Sequence, residues 1–428
     1  MTSYLTPVTK PKYQKLNSVQ LPVSVGPRFE DLLTPRFKQP KNSRFDIPRS
    51  FSSRTKIKLG ILSSSDKELV VFENLNAATC IHIFRDNDDS TTILLKDLGV
   101  SKVRPLLYQN GKVLLNIGTG KQSALLDIST GKASILEFEI QAFRETITSD
   151  RWVVGLRENW AATDVPGEVY VLDHEGNFLW GYIFNDTVKA PLIGTTAIHP
   201  YDIHIAENHN ILITSYSLFY QFSYQGQLIN RISLGEYAHK NDDEIAKFVN
   251  TMFGTEQHAN IKSVAFFPEN QLIVILERQT GVYCFDYDGN LQWNFHLSEE
   301  PKLDISYPAR AGRGQLLHKI ENIICVVDEC GSGYWLDLEG KIIRHQNYPH
   351  KINHLYPIPK SNTYIATGQT QLGYDSYYIN SLGEFTKLNI GYAIPFSFNN
   401  RSILYCDSYI WVSSQGETFD ELLGDNVE

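Results

Sequence analysis

The chain has 428 residues, 42 % hydrophobic and 12 % aromatic with two methionines, a balance that suits strands better than helical bundles. No apolar run approaches the roughly 20 residues that cross a bilayer as a helix, so a helical membrane protein is excluded. The formal charge is -9, and Cys80, Cys284, Cys325, Cys330 and Cys406 form an odd set with no CxxC pair, which indicates neither a disulfide framework nor a zinc ribbon.

Charge is unevenly spread. Residues 1–55 hold ten Lys and Arg against three Asp and Glu, a formal +7, and the remainder carries 29 against 45, a formal -16. Seven of the 18 prolines fall in this stretch, which predicts an extended basic arm rather than a packed helix or central strand. MTSYLTPVTKPKYQK lacks the apolar centre of a secretory signal, so a cytoplasmic location is expected. Within the arm, Arg28-Phe29, Arg36-Phe37 and Arg44-Phe45 recur every eight residues. That even spacing puts the phenylalanines on one side of an extended chain, about 26 Å apart at roughly 3.3 Å per residue. Two uses are open: the arm wraps its own acidic body, or its aromatic anchors engage a partner protein.

Beyond the arm one pattern returns: an apolar strand, a turn around one glycine, then a strand that often ends in an aromatic. HIFRDNDDSTTILL near Asp88 is an incomplete copy, and LLDISTGKASIL at Gly131 a fuller one. VYVLDHEGNFLW follows at Val169 to Trp180 and VYCFDYDGNLQW at Val282 to Trp293, with Asp173, Gly176 and Trp180 in register with Asp286, Gly289 and Trp293. Weaker copies centre on Gly226, Gly340, Gly383 and Gly416. A period of roughly 40–50 residues is that of propeller blades: each unit is a small antiparallel sheet that cannot bury both faces without its neighbours. IGTGKQS around Lys121 joins two strands and lacks the first glycine of a phosphate-binding loop, so a hairpin is expected there.

The predicted fold is all-β, a β-propeller over 56–428. Its units number eight, or seven if the strands around Lys56 and Tyr409 complete one shared sheet. Between the fourth and fifth units, about 235–258, Ile245, Phe248, Val249 and Met252 recur at helical spacing after capping residues near Asn241, which predicts one helical insert.

The turn pattern in LLDISTGK (Leu125 to Lys132), LDHEGNFLW and FDYDGNLQW resembles the quinoprotein-like and YVTN-type propeller superfamily, loosely over 56–428 and without the first 55 residues. The resemblance implies fold. Its quinone-dependent dehydrogenases use an adjacent cysteine pair that is missing here, and against a sialidase Asp box Phe285 and Tyr287 stand where serine and aspartate are required.

The best catalytic or metal candidates are His199, Asp202 and His204 in TAIHPYDIHIAENHN, which resembles the blade entry of some propeller sulfotransferases and lyases. On a strand, Asp202 and His204 share a face. The expected function is nevertheless a non-enzymatic interaction module without a cofactor. Its acidic body would bind a basic protein, as a scaffold or as an inhibitor or immunity protein does, through the arm, Phe248 and Met252. The alternative is a metal-assisted hydrolase, lyase or sulfotransferase-like enzyme built on His199, Asp202 and His204. Nucleic acid is disfavoured by the acidic body.

Overall fold

The structure is a computed structural model that describes residues 4–29, 59–234, 261–297 and 314–412, apart from short breaks within those spans. The chain is an all-β propeller made of two compact units, Met1–Lys15 with Leu136–Lys351 and Leu16–Ile135 with Ile352–Glu428. Eight blades are corrected to seven. Seven sheets have four or more strands, whereas the eighth sequence unit contributes Ala393–Phe398, Arg401–Cys406 and Tyr409–Val412 and has no fourth strand among the described residues. The expected helix over about 235–258 lies outside the described residues, as does the turn at Gly416.

Each blade is a meander in chain order. Blade 4, for example, runs Asp202–Ile205, Ile211–Ser215, Leu218–Phe222 and Leu228–Ser233. The middle strands read as continuous apolar runs because both of their faces are covered: Ile211–Ser215, Leu218–Phe222 and Ser332–Leu336 are buried at every position. The last strand of a blade has one face open, so Leu291–His296 in blade 5 alternates between half-buried and exposed residues.

The repeat turn is built by its aspartate. Asp173 accepts hydrogen bonds from the Glu175 N–H at 2.9 Å, the Asn177 N–H at 2.8 Å and the Asn177 amide at 2.7 Å, and the Gly176 N–H donates to the Asp173 carbonyl at 2.9 Å. Asp286 repeats this with Asn290, and Asp337 with Glu339 and Lys341. Gly176, Gly226, Gly289 and Gly340 all have φ between +79° and +88°, the left-handed region that disfavours a side chain. A bulge follows at equivalent positions, Val171/Leu172 and Cys284/Phe285 among them.

The glycine has a second reason to be bare. The residue four positions beyond one turn glycine lies under the next turn. An added Cβ would stand 2.6 Å from the Trp180 ring at Gly226 and 2.7 Å from the Trp293 ring at Gly340. The indole N–H of Trp293 donates to the Leu338 carbonyl at 2.7 Å, and that of Trp180 to the Tyr224 carbonyl at 3.4 Å. Where this position is Asn230, its amide donates to the Tyr287 carbonyl at 2.8 Å, beside Gly289. In these three cases one residue fastens a blade to the turn of the following one.

The arm adds strands to the outer edges of three blades, in reverse order. Leu5–Pro7 pairs with Phe178–Phe184 of blade 3, Tyr13–Lys15 and Val19–Gln20 pair with Lys132–Phe138 of blade 2, and Val23–Val25 pairs with Ser90–Leu94 of blade 1. Its cations have specific tasks. Lys12 Nζ lies 2.6 Å from the Glu168 carboxylate, which is 3 % exposed and also accepts from the Tyr170 hydroxyl. Arg231, paired with Asp186 through Nε and Nη2 at 2.9 Å each, covers the Tyr4 ring at 4.1 Å. Phe29 is buried between Phe84 and Phe398 at ring distances of 5.3 and 5.6 Å, where the first blade meets the last sheet. Beside it the Ser397 N–H donates to Ser64 Oγ at 3.2 Å.

Gly226→Ala and Gly340→Ala should each destabilise the protein by about 1–3 kcal/mol, since strain at positive φ adds to the contact with the indole. Trp293→Ala should cost about 3 kcal/mol. Urea melts check both. Lys12→Met leaves a buried carboxylate short of its cation and should cost about 2 kcal/mol, read as faster amide exchange over residues 4–25.

Candidate functional site

The repeat that fixes the turns also phases what the outer strands expose. Two or three residues after the turn glycine the backbone emerges from the bulge, and apolar side chains there face solvent. Leu179, Leu228, Ile229, Ile342 and Ile343 are 43, 38, 42, 52 and 56 % exposed, all in the unit that holds Leu136–Lys351. In the other unit Phe385 occupies the same phase and is 38 % exposed. Single exposed apolar residues are ordinary, but adjacent pairs at one repeat position on blades 4 and 6 are a patterned surface.

The 199–204 segment leads into blade 4. His199 is 4 % exposed, packed with Pro200 against Gly167, and neither ring nitrogen has a hydrogen-bond partner. Burial, assisted by the Arg157 charge, pushes its pKa down from 6.5 to about 4, so the ring is neutral. Asp202 and His204 do share a face, with Oδ2 and Nε2 3.7 Å apart. Burial lowers the His204 pKa against the opposing pull of Asp202. Asp202 also approaches Arg144 Nε at 4.0 Å and accepts the Ile203 N–H at 3.0 Å, and the Arg144 guanidinium lies 4.8 Å from the Phe143 ring centre and 5.7 Å from that of Tyr201. These contacts shape the entry into the strand. The ligand atoms of His199, Asp202 and His204 do not gather within 4.8 Å of one another, so the three form no common metal set.

Of the arm residues with candidate roles, Phe29 is buried and Arg28 exposed. Arg36, Phe37, Arg44, Phe45, Phe248 and Met252 lie outside the described residues. Asp173, Gly176, Trp180, Asp286, Gly289 and Trp293 stand in the turn and fastening positions. Sequence reasoning missed the exposed pairs Leu228/Ile229 and Ile342/Ile343. Their signal is an apolar pair just after the repeat glycine, where strand alternation calls for one polar residue.

No protein-family model matches the chain, and no curated protein does. Among solved structures, Sqt1 from Saccharomyces cerevisiae aligns with 84 % of this chain and 96 % of its own at a TM-score of 0.51 and 10 % identity. BamB from Moraxella catarrhalis aligns with 72 % of this chain and 81 % of its own, at 0.44 and 14 %. Virginiamycin B lyase from Staphylococcus aureus covers 73 % and 97 %, at 0.43 and 14 %. The blade topology and the likeness to Sqt1 define the class, a β-propeller. Identities this low carry the fold alone. Among the described residues no helix is long and apolar enough to cross a membrane.

His199 supplies a pH test. Its folded pKa of about 4 lies below the ordinary 6.5, so the neutral ring's contribution is complete above pH 6.5 and is lost as pH falls toward 4. His199→Leu should remove that part of the pH dependence, measured as the difference in urea midpoint between variant and wild type from pH 7 to pH 4.

Proposed function

We propose that the chain is a non-enzymatic protein-binding propeller whose partner is a basic protein. The observation that carries this reading is the repeat-phased apolar surface of the outer strands, above all Leu228/Ile229 and Ile342/Ile343. Desolvating such pairs is the main driving force of a protein contact, and the formal -16 of the chain beyond residue 55 supplies long-range attraction for a cationic partner. Inhibition of a basic enzyme, as by an immunity protein, is one concrete form of such binding. The arm supports a mode of contact, since outer strands in this fold accept an added strand. The enzyme reading would rest on His199, Asp202 and His204; the burial of His199 apart from the Asp202–His204 pair favours a structural role.

The test is affinity capture from native cells with the wild type, with Ile229→Asp/Ile343→Asp, and with His204→Ala, each first shown to melt cooperatively. The expected outcome is a stoichiometric basic protein held by the wild type and by His204→Ala, released at high salt and lost from the double variant. Equal retention by the double variant, or no retained protein at all, would overturn the reading.

A further inference from the structure

Blade 1 places three donor side chains together at one end of its central hairpin. Glu68–Glu73 and Cys80–Arg85 pair antiparallel with Val71 opposite His82 and Phe72 opposite Ile81, and the Thr79 N–H donates to the Glu73 carbonyl at 3.2 Å. Alternation along the strand puts Cys80 and His82 on one face. Glu73, two residues beyond Val71, comes to the same face on the partner strand.

The donor distances match those around one metal ion. His82 Nε2 lies 3.3 Å from Cys80 Sγ and 3.3 Å from Glu73 Oε1, and the three donor atoms all fall within 4.8 Å of one another. With Zn–N near 2.0 Å and Zn–S near 2.3 Å, donor atoms on one tetrahedral zinc stand roughly 3.3–3.6 Å apart. The other ring nitrogen of His82, Nδ1, is engaged by Thr92 Oγ1 at 2.8 Å, from the directly opposed residue of the next strand. An imidazole oriented through its far nitrogen, with the near one facing a thiol and a carboxylate, is the usual support of a metal-binding histidine.

We infer that Glu73, Cys80 and His82 form a zinc site with three protein ligands and an open fourth position. Cys80 and His82 are 7 % and 5 % exposed, while the Glu73 side chain is 20 % exposed and gives the ion a path from solvent. A divalent cation would bind the thiolate form and neutralise it together with the carboxylate. The donor set of one thiolate, one imidazole and one carboxylate suits zinc better than magnesium or calcium, which take oxygen ligands.

The test uses the full chain, stripped with a chelator and titrated with Zn²⁺ against a chromophoric competitor, and separately with Co²⁺ as a spectroscopic probe. One equivalent of Zn²⁺ should bind, and Co²⁺ should show a near-ultraviolet thiolate charge-transfer band. Cys80→Ser should abolish the band and Cys330→Ser should leave it intact. Thr92→Val, which removes only the support of His82, should weaken Zn²⁺ binding by about 10–100-fold. Should Cys80→Ser fold poorly, Glu73→Gln serves in its place and should weaken Zn²⁺ binding. The absence of saturable Zn²⁺ binding in the wild type, or a band that survives Cys80→Ser, would overturn the site.

Discussion

The fastening of a blade's outer strand beneath the turn of the next is the contact on which the remaining structure depends. A four-stranded sheet buries its middle strands only if another sheet lies on each face, and the position of Trp180, Asn230 and Trp293 sets how the following sheet lies. Its chemistry is conditional. An indole or amide must meet a carbonyl of the next turn, and the glycine there must leave room for it. The aspartate that organises the turn and the glycine that makes space are therefore one device, and the bulge at the same position turns the outer strand back along its sheet.

Much of this was legible in the sequence. The period gave blades, and the glycine register located the turns at residues 173–177 and 286–290 with their aspartates in the hydrogen-bonding position. What the turn motif could not reveal was closure. A sheet with three described strands at 393–412 and one with four look alike until strands are paired, since the motif marks the turn before the last strand and not that strand's existence. The arm was recognisable as extended and basic, yet its charge read as a property of a surface. In the structure Lys12 answers one buried carboxylate, a pairing between residues 156 positions apart that composition cannot show.

The candidate sites illustrate the same boundary. His199, Asp202 and His204 are close in sequence, but only Asp202 and His204 meet, whereas His199 packs apart against Gly167. Glu73, Cys80 and His82 span a hairpin, where strand pairing rather than sequence distance brings donors together. A Cys-x-His step on one strand, opposite an acidic residue near the hairpin end, is the pattern that would have found them.

The reversed course of the arm has a consequence for how the chain acquires its structure. Thr6 bonds Asn185 across 179 positions and Ser64 bonds Ser397 across 333, so the partner of Thr6 is made before mid-chain and that of Ser64 near its end. At roughly 5–20 residues per second, tens of seconds separate the synthesis of Ser64 from that of Ser397. During that interval the arm is already available to edge the early blades, whereas the flank of the first sheet waits for its partner, which makes the nascent chain a natural client for chaperones.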